Sequence, residues 1–416
     1  MTQKGSDRDR RIIYAATFIR SSCAGLTGVL FGVYLARLGS GTALTGFIIA
    51  AGLAGGAVAA LLATIAADNL GRRRFLIGFA VLSAIGGLAV ATYSNAIVLA
   101  IASFIGMLNG VGKDRGSALA VEQAILPSTV PDERRTFVFS IYNVLQSAGA
   151  ASGALMAAIP SILVRVASIP EIRAMRATMV GYSVLMAATG ILYAGLGGEV
   201  EVYSPSRGIN VSPESRSVLI KLSALFSIDS IGGGFITQAL VSLYFVEHFG
   251  AQPSTVGALF FAAALANAIS QLLAPPLAKR IGLVNTMVFT HMPANALMMF
   301  VPLAPNFLVA AILVLGRECL VQMDVPARQS YVMAVVKPEE RTFASGATGL
   351  VRLAGWAVAP GFAGLIMQTA MGAPLVIGPG MKIVYDLLLY RSFRHLRPPE
   401  EMSATEREPG AAGVRP

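Results

Sequence analysis

From Ile12 to Tyr390 the chain is never far from another apolar run long enough to cross a lipid bilayer, which leaves few folds open to it. A helix crossing the ~30 Å hydrocarbon layer needs about 20 mostly apolar residues. Twelve segments qualify, at roughly 12–37, 42–66, 75–94, 96–125, 136–160, 175–196, 217–246, 254–278, 283–302, 305–335, 342–369 and 374–390. Their interiors are rich in Ala, Leu, Gly and Ile, as packed membrane helices are. They are continuous rather than alternating, which excludes a transmembrane β-barrel. Only 13% of the residues are charged, against about 25% in a soluble domain. That is too little charge for a water-facing surface or for disorder. Two cysteines, Cys23 and Cys319, exclude a disulfide scaffold. Met1–Arg11 is polar and the apolar run after it is too long for a cleavable signal peptide. The chain therefore reads as an all-α membrane protein with twelve transmembrane helices.

The net charge of +10 would suit nucleic acid if it were clustered on a soluble face, but it is not. With the N-terminus placed inside, 21 basic residues fall on the inner side and 4 on the outer, with seven of the 32 inside spans. Basic residues mark the cytoplasmic side of membrane proteins. Both termini are thus expected in the cytoplasm of a multi-pass plasma (inner) membrane protein. The expected organisation is an N-terminal tail at 1–11, a six-helix half at 12–196 and a cytoplasmic linker at 197–216. A second six-helix half at 217–390 and a cytoplasmic tail at 391–416 complete it.

The two halves repeat at a spacing of about 204–211 residues. Ala67-Asp68-Asn69-Leu70-Gly71 aligns with Ala278-Lys279-Arg280-Ile281-Gly282, and Gly46 with Gly257. Pro131-Asp132-Glu133-Arg134-Arg135-Thr136-Phe137 answers Pro338-Glu339-Glu340-Arg341-Thr342-Phe343, and Gly112-Lys113-Asp114 answers Gly316-Arg317-Glu318. Six spans separate equivalent points, so the copies share one orientation and are related by an axis along the membrane normal.

Twelve spans, a parallel six-plus-six repeat and a basic turn after the second span resemble the major facilitator superfamily. Its signature in that turn is Gly-x-x-x-Asp-x-x-Gly-Arg-Arg/Lys. Here the turn reads Thr64-Ile65-Ala66-Ala67-Asp68-Asn69-Leu70-Gly71-Arg72-Arg73-Arg74, with Thr64 in place of the first glycine. The resemblance implies a conformational latch in which Asp68 caps helix 11, while Gly71 and Arg72 form the turn and Glu122 on helix 4 answers it. Helix 11 carries Gly346, Gly355, Ala359-Pro360-Gly361 and Gly364. This resembles the glycine-proline pattern that the family's antiporters place on helix 5. The counterpart on helix 5 here is Ser140, Gly149, Gly153, Ala154, Ala157 and Ala158, without a proline.

Charges inside the membrane are costly and are functional candidates by default. Arg20 on helix 1 and Asp229 on helix 7 occupy equivalent helices, and a pair across the axis is expected. Burial disfavours the ionised carboxylate and a nearby arginine favours it, so Asp229 is a proton-coupling candidate, with Asp114 and Glu318 beside it. Lys113, Arg115, Arg317, Asp324 and Arg328 on helices 4 and 10 are expected to form an inner gate with Glu122. Arg20, Arg352, Tyr142, Asn143 and Gln238 are the substrate-binding candidates. Lys382 and Asp386, four residues apart on helix 12, are expected to pair along that helix. His248 and His291 fall near span ends without metal-ligand spacing, and no metal site or cofactor is expected.

The expected function is alternating-access secondary transport of a small organic solute, coupled to protons and directed outward as antiport. Uptake of an organic anion is the alternative, because span-embedded arginines and lysines are at least as numerous as the acids and suit a carboxylate. A non-transporting receptor on the same fold is a third reading, without an effector domain to support it. No ATP-binding loop and no catalytic constellation argue for an enzyme. The expected partners are the lipid bilayer, a solute and protons, with no nucleic acid, and the protein is expected to be a monomer.

Overall fold

A computed structural model of the chain describes residues 3–114, 117–130, 135–201, 212–334 and 341–393, and every regular element among them is helical. The first half holds α1 (Gln3–Arg37), α2 (Thr42–Leu70), α3 (Arg72–Thr92), α4 (Ala96–Gly106), α5 (Ser117–Ile125), α6 (Arg135–Met156), α7 (Ile159–Ala167) and α8 (Glu171–Ala194). The second holds α9 (Pro213–Phe235), α10 (Gln238–Phe249), α11 (Pro253–Ile281), α12 (Leu283–Phe300), α13 (Phe307–Val321), α14 (Asp324–Ala334), α15 (Arg341–Met367) and α16 (Pro374–Phe393). The pairs α4/α5, α6/α7, α9/α10 and α13/α14 are consecutive pieces of single crossings, so these helices make six crossings per half. Among the described residues, eight segments are long and apolar enough to cross a bilayer on their own. Ile97, Ile191 and Leu272 leave 69%, 75% and 77% of their surface exposed, a placement that suits lipid and would be a liability in water.

The repeat is carried into local chemistry. Gly71 N donates to Ala67 O at 3.0 Å and Gly282 N to Ala278 O at 2.9 Å, closing α2 and α11 in the same way. Both glycines have positive φ, 104° and 89°, where a side chain would be strained. Asn95 and Asn306, 211 residues apart, each cap the helix that follows: Asn95 accepts from Ile97 N and Val98 N, and Asn306 from Val309 N. Asn is among the preferred N-cap residues because its side-chain oxygen satisfies otherwise unpaired helix donors.

Several crossings expected to be continuous are broken. The 96–125 run splits because Met107 turns into the left-handed region at φ 51°, and Asn109 then stabilises an irregular stretch. Its Oδ1 accepts from Val111 N at 2.7 Å and its Nδ2 donates to Lys113 O at 2.6 Å. Three glycines, Gly232–Gly234, weaken helix 7 just before it breaks at Ile236 and Thr237. The polar N-terminus continues the first helix back to Gln3, and buried Asp9 accepts from Gly197 N at 3.0 Å.

The halves meet on the side opposite the chain termini. A Cβ at Gly32 would lie 2.4 Å from Ala239 O, one at Gly46 2.3 Å from Pro360 O, and one at Gly257 2.4 Å from Ala154 O. Ala239 N donates to Gly110 O at 3.0 Å, a backbone hydrogen bond between halves. At the rim, Arg37 on α1 sits 3.2 Å from Glu247 on α10 and 3.5 Å from Glu171 on α8. Glycine at these points lets backbones touch. Gly46→Val should therefore hold this side apart. Between cysteines placed at Gly41 and Gln368, in a Cys23→Ser/Cys319→Ser background, a short bis-maleimide should then cross-link several-fold less. Undiminished cross-linking would show that the Gly46 contact does not control closure.

Candidate functional site

Two buried polar clusters stand inside the apolar body, one in each half. In the first, Arg20 on α1 donates from Nε to Asp114 Oδ2 at 2.7 Å and from Nη1 and Nη2 to both oxygens of Glu122 on α5, each at 2.8 Å. This is the bidentate fork for which arginine is suited. Glu122 also accepts from Tyr142 on α6 and Tyr193 on α8, both at 2.6 Å. Its buried charge is thus answered by four hydrogen bonds drawn from three helices.

The second cluster centres on Asp229 of α9. Lys382 Nζ on α16 donates to Oδ1 at 2.5 Å, while Arg352 on α15 and Arg328 on α14 lie 3.2 and 3.8 Å from Oδ2. Arg328 also pairs with Asp324. His291 on α12 places Nε2 3.9 Å from Asp229 Oδ1, and its Nδ1 lies 2.9 and 3.0 Å from the two oxygens of Asp386. Arg328 and Arg352 both stand over the Phe226 ring, with their Cζ atoms 5.7 and 5.8 Å from its centre.

Arg20 and Asp229 do not pair with each other. Arg20 takes its acids from its own half, and Asp229 takes its bases from its own half. The repeat explains why. Arg20 and Asp229 are 209 residues apart, and Glu122 and Arg328 are 206 apart, so each pair occupies equivalent positions with its charges inverted. Lys382 and Asp386 do not pair along helix 12 either; they reach Asp229 and His291 respectively. His291, expected near a span end, is buried in the middle of α12. Tyr193 joins the first cluster without a mark in the sequence, while His291, Lys382 and Asp386 join the second in roles other than those the sequence suggests. The only available signal was a polar group in the wrong place for a lipid-facing surface.

Between the halves lies a cavity of about 150 Å³. Of the expected residues it is lined by Lys113, Asp229, Gln238, Arg317, Glu318, Asp324, Arg328 and Arg352, joined by His291, Trp356 and Lys382. Arg20 and Asp114 line a separate pocket within the first half, Tyr142 is committed to Glu122, and Asn143 is exposed. Arg352 Nη1 is close to Asp229 but not aligned to donate to it, and Arg317 Nε and Asn267 Oδ1 have no hydrogen-bond partner. These polar atoms are available in a space shared by both halves.

At the turn after α2, the latch differs from expectation. Glu122 faces Arg20, and the carboxylate at the turn is that of Glu201, which accepts from Arg72 N at 2.6 Å and Arg73 N at 3.3 Å. A carboxylate at the first N–H groups of α3 is favoured by the helix dipole. Arg72 Nη1 donates to Ala124 O at 3.2 Å, tying the turn to α5. The Asp68 side chain and Arg115 lie outside the described residues, so the Asp68 cap on helix 11 falls there too.

The family model of the Major Facilitator Superfamily matches residues 13–229 and 222–416. An uncharacterized membrane protein of Saccharomyces cerevisiae, YJR124C, is 23% identical over 93% of this chain and 94% of its own. Among solved structures, a mutant of the nucleoside transporter NupG superposes with a TM-score of 0.73 at 14% identity, covering 92% of this chain and 99% of that one. A bacterial homologue of the human lysosomal transporter Spinster, inward-facing and unoccupied, superposes at 0.66 with 15% identity, covering 92% and 95%. The same homologue, inward-facing and occupied, superposes at 0.63 with 15% identity, covering 92% and 94%.

Removing one member of a buried ion pair costs about 3–5 kcal/mol, because the partner is left uncompensated. Arg20→Leu should therefore destabilise the protein by that order, and Arg20→Leu/Glu122→Leu by much less. Thermal unfolding in detergent reads both. An equal loss in the single and double variants would mean that Glu122 does not depend on Arg20.

Proposed function

This chain belongs to the Major Facilitator Superfamily, and on that premise we propose that it moves a small organic solute by alternating access, exchanging it for protons in the outward direction. The observation that carries the reading is the cavity between the halves, shut on the side away from the termini and holding the Asp229 cluster. The basic residues assign the termini to the cytoplasm of the plasma (inner) membrane, so the state described here is closed to the outside. The moving bodies in this reading are 12–196 and 217–390, joined by the linker 197–216 and flanked by tails 1–11 and 391–416. The protein works as a monomer.

The solute proposed is anionic or zwitterionic. Arg352 and Arg317 line the shared space, Arg352 Nη1 and Arg317 Nε have no hydrogen-bond partner among the described residues, and guanidinium groups bind carboxylates in a planar fork. Gln238 and Trp356 add a polar contact and an aromatic wall. Arg20, Tyr142 and Asn143 take no part in this site; the first two hold the first half together. Asp114 and Glu318 remain proton-linked candidates behind Asp229, whose cationic partners come from three helices of its own half. The antiport direction is supported by the glycine-proline segment of α15. Its Pro360 and Gly364 meet Gly46 of the first half, so it forms part of the closed face. The inner gate of the Lys113, Arg317, Asp324 and Arg328 group follows the same logic.

Proteoliposomes holding a trapped pH-sensitive dye test the coupling. Nucleosides, organic carboxylates and amphipathic amines should be offered in turn. One anionic or zwitterionic class should drive protons against the direction of solute movement. Proton movement in the same direction as the solute would replace export by uptake, and solute flux without proton movement would remove the coupling. Asp229→Asn should reduce the ratio of gradient-driven to gradient-free accumulation from at least ten to near one. A ratio unchanged in that variant would take Asp229 out of the mechanism.

A further inference from the structure

The proposed exchange needs a group that can take and release a proton while facing the cavity. Asp229 already has three cations beside it, which serve its ionised form. His291 has the better geometry. It is 3% exposed, sits mid-way along α12 and lines the cavity. Its two ring nitrogens face different acids. Nδ1 lies 2.9 and 3.0 Å from the two oxygens of Asp386, which is fully buried. An ionised carboxylate only accepts hydrogen bonds, so Nδ1 carries the proton of the neutral ring and Nε2 is left with its lone pair. Nε2 lies 3.9 Å from Asp229 Oδ1, too far for a hydrogen bond and close enough for one to form after a small shift.

The surrounding charges balance as long as the ring is neutral. From α9, α14 and α16 come Asp229, Asp324 and Asp386; from α14, α15 and α16 come Arg328, Arg352 and Lys382. On α13, Arg317 and Glu318 pair with each other. Arg280, at the end of α11, is exposed. The Tyr385 ring on α16 meets the imidazole edge-on at 6.2 Å. Three acids stand against three bases, and the neutral imidazole of His291 lies between two of the acids.

We propose that His291 is the residue that binds the coupling proton, with Asp386 fixing its tautomer. This rests on the proton-exchange reading above. The step is a single protonation. The Nε2 lone pair takes a proton from a hydronium ion in the cavity: the hydronium O–H bond breaks and leaves neutral water, the Nε2–H bond forms, and the ring gains the one positive charge. The new Nε2–H faces Asp229 Oδ1, the oxygen that Lys382 holds at 2.5 Å. Imidazolium and ammonium then compete for one acceptor. The tie between α9 and α16 is exchanged for a tie between α9 and α12, so the proton alters which helices are bound together around the cavity.

The chain contains three histidines and one tryptophan, which makes the test direct. In a His248→Gln/His395→Gln protein reconstituted in nanodiscs and labelled with 15N-histidine, the remaining signal is His291. It should show the Nδ1–H tautomer at alkaline pH and convert to imidazolium over a titration from alkaline to acid pH. Trp356 lines the same cavity, and its emission should titrate with the same midpoint in the wild-type protein. That response should vanish in His291→Gln and persist in His248→Gln. In the trapped-dye assay, His291→Gln should lower solute-driven proton movement at least tenfold. A ring that keeps one tautomer across this range, or full proton movement in His291→Gln, overturns the assignment. Titration of His291 without solute-driven proton movement in the wild type would instead overturn the exchange reading and leave the proton site standing.

Discussion

Burying a charge without a partner is the most expensive act available to a membrane helix, and this fold is arranged around avoiding it. The effective penalty is several kcal/mol per ion even after relaxation. Each half answers its own central charge from its own helices: Arg20 with Asp114 and Glu122, Asp229 with Lys382, Arg352 and Arg328. The inverted signs at equivalent positions show that the repeat preserves the pairing and not the residue. A pair across the axis would have to break each time the halves separated. A pair inside one half travels with it.

What joins the halves is accordingly cheap to part. Gly32, Gly46 and Gly257 bring backbone against backbone, and one N–H to carbonyl bond links Ala239 to Gly110. A typical hydrogen bond contributes only about 0.5–1.5 kcal/mol net, and an exposed ion pair such as Arg37 with Glu247 about 0–1 kcal/mol. The closed face is therefore specific in shape and weak in energy, as a surface must be if it is to open repeatedly. The same contrast accounts for the irregular backbone at 107–114. Irregular backbone is tolerated at membrane depth where protein covers it, and here it supplies the carbonyl that meets the other half.

The span pattern, the parallel repeat and the Gly71 turn could be read directly, because hydrophobic length and repeated motifs depend on sequence order alone. The partners of the buried charges could not. A sequence places Arg20 and Asp229 on their helices at a given depth, but adjacent residues on a helix point about 100° apart, following its 3.6-residue turn. Direction around the axis is set by tertiary packing. That is why Arg20 turned out to face α5 and Asp229 to face α16. Lys382 and Asp386 illustrate the opposite error. Their four-residue spacing fits a pair along one helix, but in a low-dielectric interior each gains more from a charge on a neighbouring helix than from its exposed-surface partner of last resort. Glu201 escaped notice because it lies in the linker, where an acid carries no cost that would mark it.

Pairing also determines where a proton can act. In the first cluster Glu122 receives four hydrogen bonds, two from tyrosines and two from Arg20. Every acceptor position near it is occupied by a group that does not titrate near neutral pH, so that cluster is a fixed joint. The second cluster differs in one respect: a histidine stands within reach of its central carboxylate with one nitrogen uncommitted. Both halves hold their charges, and among the described residues only the second sets an imidazole beside its central carboxylate. In the proposed exchange this asymmetry gives the proton one half to bias: the imidazole belongs to the Asp229 half, which also supplies most of the cavity wall.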